Sequence, residues 1–299
     1  MANLQATHAI ENATEHANRS GNMKAIQVRN VYKIFGPASA HARVLDLLRQ
    51  GASKADVLAK TGCNVGLSNV NLTIEPGQIF VIMGLSGSGK STLVRHLNRL
   101  IEPSAGEILV DGKDILKLNS NGLRELRRYR ISMVFQNFGL LPHSTVLENA
   151  AYALRTRGES REVAYAGARD WLKKVGLDGY AEKFPDELSG GMRQRVGLAR
   201  ALAADTDVVL MDEAFSALDP LIRTEMQDQL LSLQATLNKT VVFITHDLDE
   251  ALRLGTQIAI LRDGELVQQG SPQDILRHPA NDYVRRFVER RSERSEVVA

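Results

Sequence analysis

The chain runs to 299 residues, 43% of them hydrophobic, enough to bury a substantial core as one large domain or two small ones. Its 37 basic and 35 acidic side chains leave a net charge of +2, no field of the kind that draws nucleic acid, and its single cysteine, Cys63, excludes an internal disulfide framework and suits a reducing compartment. No apolar stretch approaches the roughly 20 residues of a spanning helix, and the polar start lacks the blocks of a signal peptide, so any membrane is to be reached through a partner.

In chain order, residues 1–22 are polar without apolar periodicity and read as a disordered arm ahead of a cassette over 23–275. Within 37–66, His41–Gln50 and Ser53–Lys60 read as two short helices joined through Gly51. The outline is that of a helix-turn-helix, but two short surface helices are more simply packed than reading DNA. Short apolar runs follow at Ile79–Met83, Ile131–Phe135, Val208–Met211, Val241–Thr245 and Ile258–Leu261, with helical patterns between them. Strand alternating with helix predicts an α/β core, a mostly parallel sheet covered on both faces. The stretch 145–187 carries no such run; Ala164, Ala168, Trp171, Leu172 and Val175 recur at helical spacing and predict a separate helical lobe. In the tail, 276–299, Arg285, Arg286, Arg290, Arg291 and Arg294 can approach anionic lipid, but Glu289, Glu293 and Glu296 dilute them, and the tail reads as a solvated helix.

The chemistry-bearing residues sit where these runs end. Gly84-Leu85-Ser86-Gly87-Ser88-Gly89-Lys90-Ser91 fits the P-loop pattern and lies between an apolar strand and the helical Thr92–Arg99. Glycines let backbone N–H groups curl around phosphate oxygens, the following helix aims its positive end at them, Lys90 reaches the β- and γ-phosphates, and Ser91 offers a hydroxyl to Mg²⁺. The run Val208–Met211 ends in Asp212 and Glu213; Asp212 suits the metal shell and Glu213 is the candidate base for the attacking water. His246 after Val241–Thr245 and Gln136 after Ile131–Phe135 arrive at the same edge, His246 to sense the γ-phosphate and Gln136 to meet Mg²⁺ or water. Ser189-Gly190-Gly191 opens another helix, a second anion-seeking N-terminus that one nucleotide does not need. It is economically explained as capping the nucleotide of a second copy in a two-fold dimer.

Taken in order, the P-loop, glutamine, LSGGM, MDE, SALD and histidine closely resemble the ATP-binding subunits of ABC transporters over about residues 25 to 285. The resemblance implies an ABC cassette of the P-loop NTPase fold: a mostly parallel core, an antiparallel β subdomain and a helical lobe. It implies ATP bound by Phe35, Gly84, Ser86, Gly87, Gly89, Lys90, Ser91 and Thr92, with Phe35 stacking adenine unless it is a core residue. It also implies Mg²⁺ held near Ser91, Gln136 and Asp212, a signature of Ser189, Gly190 and Gly191 acting in trans, and a D-loop at Asp219. Three phrases, Ile82–Ser91, Leu188–Leu202 and Met211–Met226, together with the insert at 37–66, look most like the ATPases of glycine betaine, proline betaine and choline importers. That implies head-to-tail pairing with a second copy, integral membrane permease subunits, and a periplasmic or lipid-anchored substrate-binding protein, on the cytoplasmic face of the inner membrane. Members of that group often carry a regulatory CBS pair after the cassette, so with the chain read only to Ala299 ionic-strength gating is not carried over. The other readings are an ATPase for another solute or an exporter, and, in a different class, a soluble ATPase acting on nucleic acid or the ribosome.

Overall fold

A computed structural model describes residues 26–136, 139–216 and 218–289. The expected arm at 1–22, Phe138 in the segment that leads into the helical lobe, and the tail from Arg290 onward lie outside the described residues. Four strands, β1 (Ile26–Phe35), β2 (Asn64–Ile74), β4 (Ala105–Val110) and β5 (Lys113–Asp114), form an antiparallel sheet in the order β2-β1-β4-β5. A second sheet, ordered β10-β9-β3-β8-β7-β6, is built from β3 (Ile79–Met83), β6 (Ile131–Val134), β7 (Val208–Met211), β8 (Thr240–Thr245), β9 (Gln257–Arg262) and β10 (Glu265–Gly270). All its neighbours are parallel except β10, which pairs antiparallel with β9 at one edge.

Burial on both faces explains why these runs are apolar at every position rather than alternately. Val81, Met83, Val209, Met211, Val241 and Phe243 enter the cluster on the helical side, where the Phe215 and Phe243 rings lie 5.3 Å apart. Phe80, Ile82, Leu210, Val242 and Ile244 enter the cluster shared with the antiparallel sheet. Successive residues of one strand thus serve two cores.

The insert forms α1 (His41–Arg49) and α2 (Lys54–Thr61). Val44 and Val57 bury against Ile34, Cys63 and Val65, so the pair is packed onto the antiparallel sheet. The remaining helices are α3 (Lys90–Leu97), α4 (Ser120–Glu125), α5 (Val146–Thr156), α6 (Arg161–Lys174), α7 (Gly190–Ala203), α8 (Pro220–Leu237), α9 (Leu248–Leu254) and α10 (Pro272–Arg277), followed by α11 over 282–289. Helices α5, α6 and α7 pack on one another. A reciprocal Thr145–Glu148 box starts α5 by satisfying two otherwise orphaned backbone donors.

The solvated-helix reading of the tail needs correction over its described part. Val284 has no exposed surface, Tyr283 and Phe287 pack on the helical-side core, and the Tyr283 hydroxyl donates to Leu261 O at 3.3 Å. Positions 283, 284 and 287 form one apolar stripe on a helix whose charges occupy the other face.

His96, on α3, is fully buried and neither ring nitrogen has a partner among the described residues. Burial, aided by the charge of Lys33, lowers its pKa from 6.5 to about 4. Between those values the unfolded chain binds a proton that the folded chain does not, so this group's contribution is present above the unfolded pKa and is lost as pH falls, by about 1.4 kcal/mol per unit. Urea unfolding at about pH 7 and about pH 5 is expected to show this loss in the native chain and a flatter dependence in His96→Leu. An unchanged dependence would assign the loss to other groups.

Candidate nucleotide site

Strand β3 runs into a loop whose glycines take backbone angles closed to most side chains: φ is +79° at Gly87 and +99° at Gly89. A Cβ on Gly89 would stand 2.8 Å from Leu67 Cδ2 and 3.0 Å from Gly66 O, so glycine alone allows the loop this near to β2. Gly89 caps α3, whose first turn points its backbone donors into the loop. Lys90 is almost completely buried; its Nζ donates to Gly84 O at 2.9 Å and Leu85 O at 3.0 Å and lies 3.6 Å from Glu213 Oε1. Burial pulls its pKa down while Glu213 and Asp212 pull it up. Charged phosphate oxygens are stronger partners for such a cation than neutral carbonyls.

Strand register brings the rest to the same place. Met83 pairs with Thr245, whereas Met211 pairs with Phe243 and Val134 with Met211, so the parallel strands point to one edge, β6 and β7 stopping two residues short of β3 and β8. Asp212, Glu213, His246 and Gln136 therefore leave the sheet at one edge, beside the loop. Asp212 has no exposed surface; Oδ1 accepts from Ser91 Oγ at 2.7 Å and Oδ2 from Arg95 Nη2 at 3.0 Å. Glu213 Oε2 accepts from Gln136 Nε2 at 3.4 Å and lies 3.8 Å from His246 Nδ1.

A cavity of about 540 Å³ opens over this edge. Ser86, Gly87, Gly89, Lys90, Ser91 and Thr92 line it together with Phe35, Gln136 and Glu213. Phe35 is 45% exposed, a ring on the cavity wall rather than a core residue. Gly84 contributes the carbonyl that holds Lys90, Asp212 stands behind Ser91, and His246 stands beside Glu213. Ser189, Gly190, Gly191 and Asp219 are not among the lining residues. Ser189 Oγ caps α7 by accepting from Met192 N at 3.3 Å, and Asp219 Oδ1 caps α8 by accepting from Ile222 N at 3.1 Å.

Hard oxygen donors suit Mg²⁺, which keeps waters and needs few protein ligands, and the adjoining Ser91 hydroxyl and Asp212 carboxylate are such a pair. Among the described residues no three acidic, histidine or cysteine side chains converge on a metal position, so phosphate and water oxygens have to complete the shell. Sequence reasoning missed Arg95, although its place four residues after Ser91 puts it on the same helix face. It also missed Lys54, Asn64, Val65, Gly66 and Asp263, which line the cavity but belong to no motif.

A glycine loop between strand and helix, a buried lysine and two carboxylates at a neighbouring strand end define a P-loop nucleotide-binding protein. The family described as "ABC transporter" matches residues 67–216. The chain belongs to this ABC transporter family. It is 58% identical over 262 residues to the glycine betaine/proline betaine transport system ATP-binding protein ProV of Escherichia coli, covering 88% of this chain and 65% of that one. To the glycine betaine/carnitine transport ATP-binding protein GbuA of Listeria monocytogenes it is 57% identical over 267 residues, 89% of this chain and 67% of that one. The match thus spans just under two thirds of the Escherichia coli relative's length. The dimeric structure of the ATP-binding cassette MJ0796 bound to ADP and Pi superposes with a TM-score of 0.71 at 33% identity, over 83% of this chain and 98% of that one.

Removing Arg95 leaves Asp212 a buried charge with one hydroxyl partner. Arg95→Met is expected to lower stability in urea by about 3 kcal/mol, and adding Asp212→Asn to recover part of it. Strict additivity of the two substitutions would show that the ion pair does not carry the effect.

Proposed function

We propose that the chain is the ATP-hydrolysing motor of an importer for glycine betaine, choline or a related quaternary amine. One observation carries the reading: the phosphate loop, the Ser91–Asp212 pair and Glu213 meet around a single cavity. The solute class rests on the relatives named above and on the long phrases shared with that group.

Phosphate oxygens replace the Gly84 and Leu85 carbonyls as partners of Lys90, and Phe35 stacks the adenine, worth about 1–3 kcal/mol. Ser91, Asp212 and Gln136 would hold Mg²⁺, which would supply positive charge to offset that of the phosphates. Glu213 takes a proton from the attacking water; Gln136 and His246, both beside its Oε2, orient the water and the γ-phosphate. The helix N-terminus at Ser189, Gly190 and Gly191 has no place at the chain's own cavity, so it closes over the ATP of a second copy in a head-to-tail dimer, with Asp219 at the junction. Closure passes through the helical lobe to permease subunits, and a substrate-binding protein selects the solute. Among the described residues no helix is long and apolar enough to cross a membrane, in keeping with a motor bound to the cytoplasmic face through its permease. Nucleic acid has no role in this reading.

Glu213→Gln keeps the hydrogen-bonding shape but removes the base. It is expected to bind ATP, accumulate as a dimer and lose turnover by about 10²- to 10⁴-fold. With the transporter partners intact, cells carrying this variant should lose uptake of labelled glycine betaine, choline or proline betaine. Wild-type turnover in the variant would remove Glu213 as base; unchanged uptake of all three would remove the solute class and leave the ATPase.

A further inference from the structure

We propose that Lys54, delivered by the two-helix insert, is a nucleotide-binding residue that contacts the ribose and α-phosphate end of ATP. The proposal rests on the nucleotide reading above and adds to it a residue and a role for the insert.

Lys54 opens α2, fixed there by the reciprocal Ser53–Asp56 box, in which Asp56 N donates to Ser53 Oγ at 3.1 Å. Its stem carries the ammonium across to the cavity, where it lines the same wall as Phe35 and Asn64. Two N–H groups are committed, one to Val65 O at 3.0 Å and one to Asp263 O. An ammonium has three, so one donor remains to be used from this position. Burial lowers the pKa of this ammonium from the ordinary lysine value, and the Glu265 and Asp263 carboxylates offset part of that shift.

The surroundings are built to this side chain. A Cβ on Gly264 would stand 2.6 Å from Lys54 Nζ and 2.3 Å from Gly66 O, at a φ of +75°. Gly264 N donates to Ser88 O in the phosphate loop at 3.0 Å, and Gly264 O accepts from Ser68 N at 2.8 Å. A Cβ on Gly66 would meet the Phe35 ring at 2.6 Å. One ammonium therefore ties the insert to β2 and to the β9–β10 turn, and that turn is bonded to the phosphate loop. A lysine acting only as a brace needs the two carbonyls but not a place on the wall of the cavity close to Gly66, which itself adjoins both the Phe35 ring and Gly89 of the loop. A nucleotide with its base on Phe35 and its phosphates on the loop passes its ribose and α-phosphate along that wall.

The test is calorimetric titration of the full chain and of Lys54→Met, Lys54→Gln and Lys54→Arg with ATP, ADP and 2′-deoxyATP, alongside thermal melts. ATP and ADP are expected to weaken by the same factor, about 3- to 10-fold, in Lys54→Met, with affinity kept in Lys54→Arg. If the ribose hydroxyl is the acceptor, the gap between ATP and 2′-deoxyATP closes in the variant; if the α-phosphate is, the gap persists. Unchanged affinities with a lowered melting temperature would make Lys54 a brace only and overturn the proposal. So would a loss confined to ATP, which would place the lysine at the γ-phosphate. Lys54→Gln, which keeps one donor for the Val65 carbonyl, gives the same discrimination if the methionine variant does not fold. Failure of the native chain to bind either nucleotide would overturn the underlying reading, a result distinct from native binding that Lys54→Met leaves unaltered.

Discussion

Asp212 is a carboxylate with no exposed surface, and its charge has to be met by donors close at hand. Both described donors come from α3: the Ser91 hydroxyl and the Arg95 guanidinium, four residues apart on one helix face. The charge therefore locks the end of β7 to the helix that follows the phosphate loop, across a gap that the central sheet alone does not fix. Sliding α3 by one residue would turn both donors away and strand a buried anion, so the site's register is set by electrostatics as much as by packing. Ser91 and Asp212 then present two oxygens together, the kind of donors a hard cation takes.

The sheet supplies the other half of this constraint. Parallel strands buried on both faces bring their carboxyl ends to one edge when their hydrogen-bonded registers agree, and here Met83 lies beside Thr245, with Met211 and Val134 two residues lower beside Phe243. The polar site residues follow within two residues of the strand ends: Gln136 after β6, Asp212 and Glu213 after β7, and His246 after β8. Glu213 shows what this costs: its φ of +48° lies in the left-handed region, disfavoured for a side chain with a Cβ by about 1–2 kcal/mol. The strained backbone turns the carboxylate toward Lys90 and Gln136 rather than letting it follow Asp212 into the core.

Much of this was legible in the sequence because it depends on short-range rules. Five apolar runs too short for helices, each ending in polar or glycine residues, locate the strands and the edge where chemistry collects. The insert's helices were legible from Gly51 and the cap at Ser53. Lys54 was not: a lysine at the start of a surface helix looks like any solvated charge, and its relation to Val65, Asp263 and the cavity exists only after two sheets have packed. The docking of Tyr283 and Phe287 was hidden likewise, because the charges of the tail outnumber a three-residue apolar stripe. Arg95 was within reach, since the i, i+4 relation to Ser91 needs only the helix.

The segment after Gln136 shows how a rigid site can still move something. Gln136 belongs to the cavity, bonded to Glu213, whereas residues 139–145 are tied to the helical lobe. Asn149, fully buried in α5, accepts from Leu141 N at 2.8 Å and donates to the carbonyls of Leu141, Ser144 and Thr145, each at 3.0 Å. Arg200 in α7 donates to Gly139 O at 2.6 Å. The chain from Gly139 to Thr145 is thus clipped to two helices of the lobe, a few residues along the sequence from Gln136, which bonds to Glu213. On the proposed reading, pulling this segment off the lobe would strip the buried Asn149 of its hydrogen bonds, whereas turning the lobe together with the segment would keep them. Each buried bond left unmade costs about 1–3 kcal/mol, so rotation of the intact lobe is the cheaper response. A change at the proposed site would then be passed on as movement of the lobe with its segment attached.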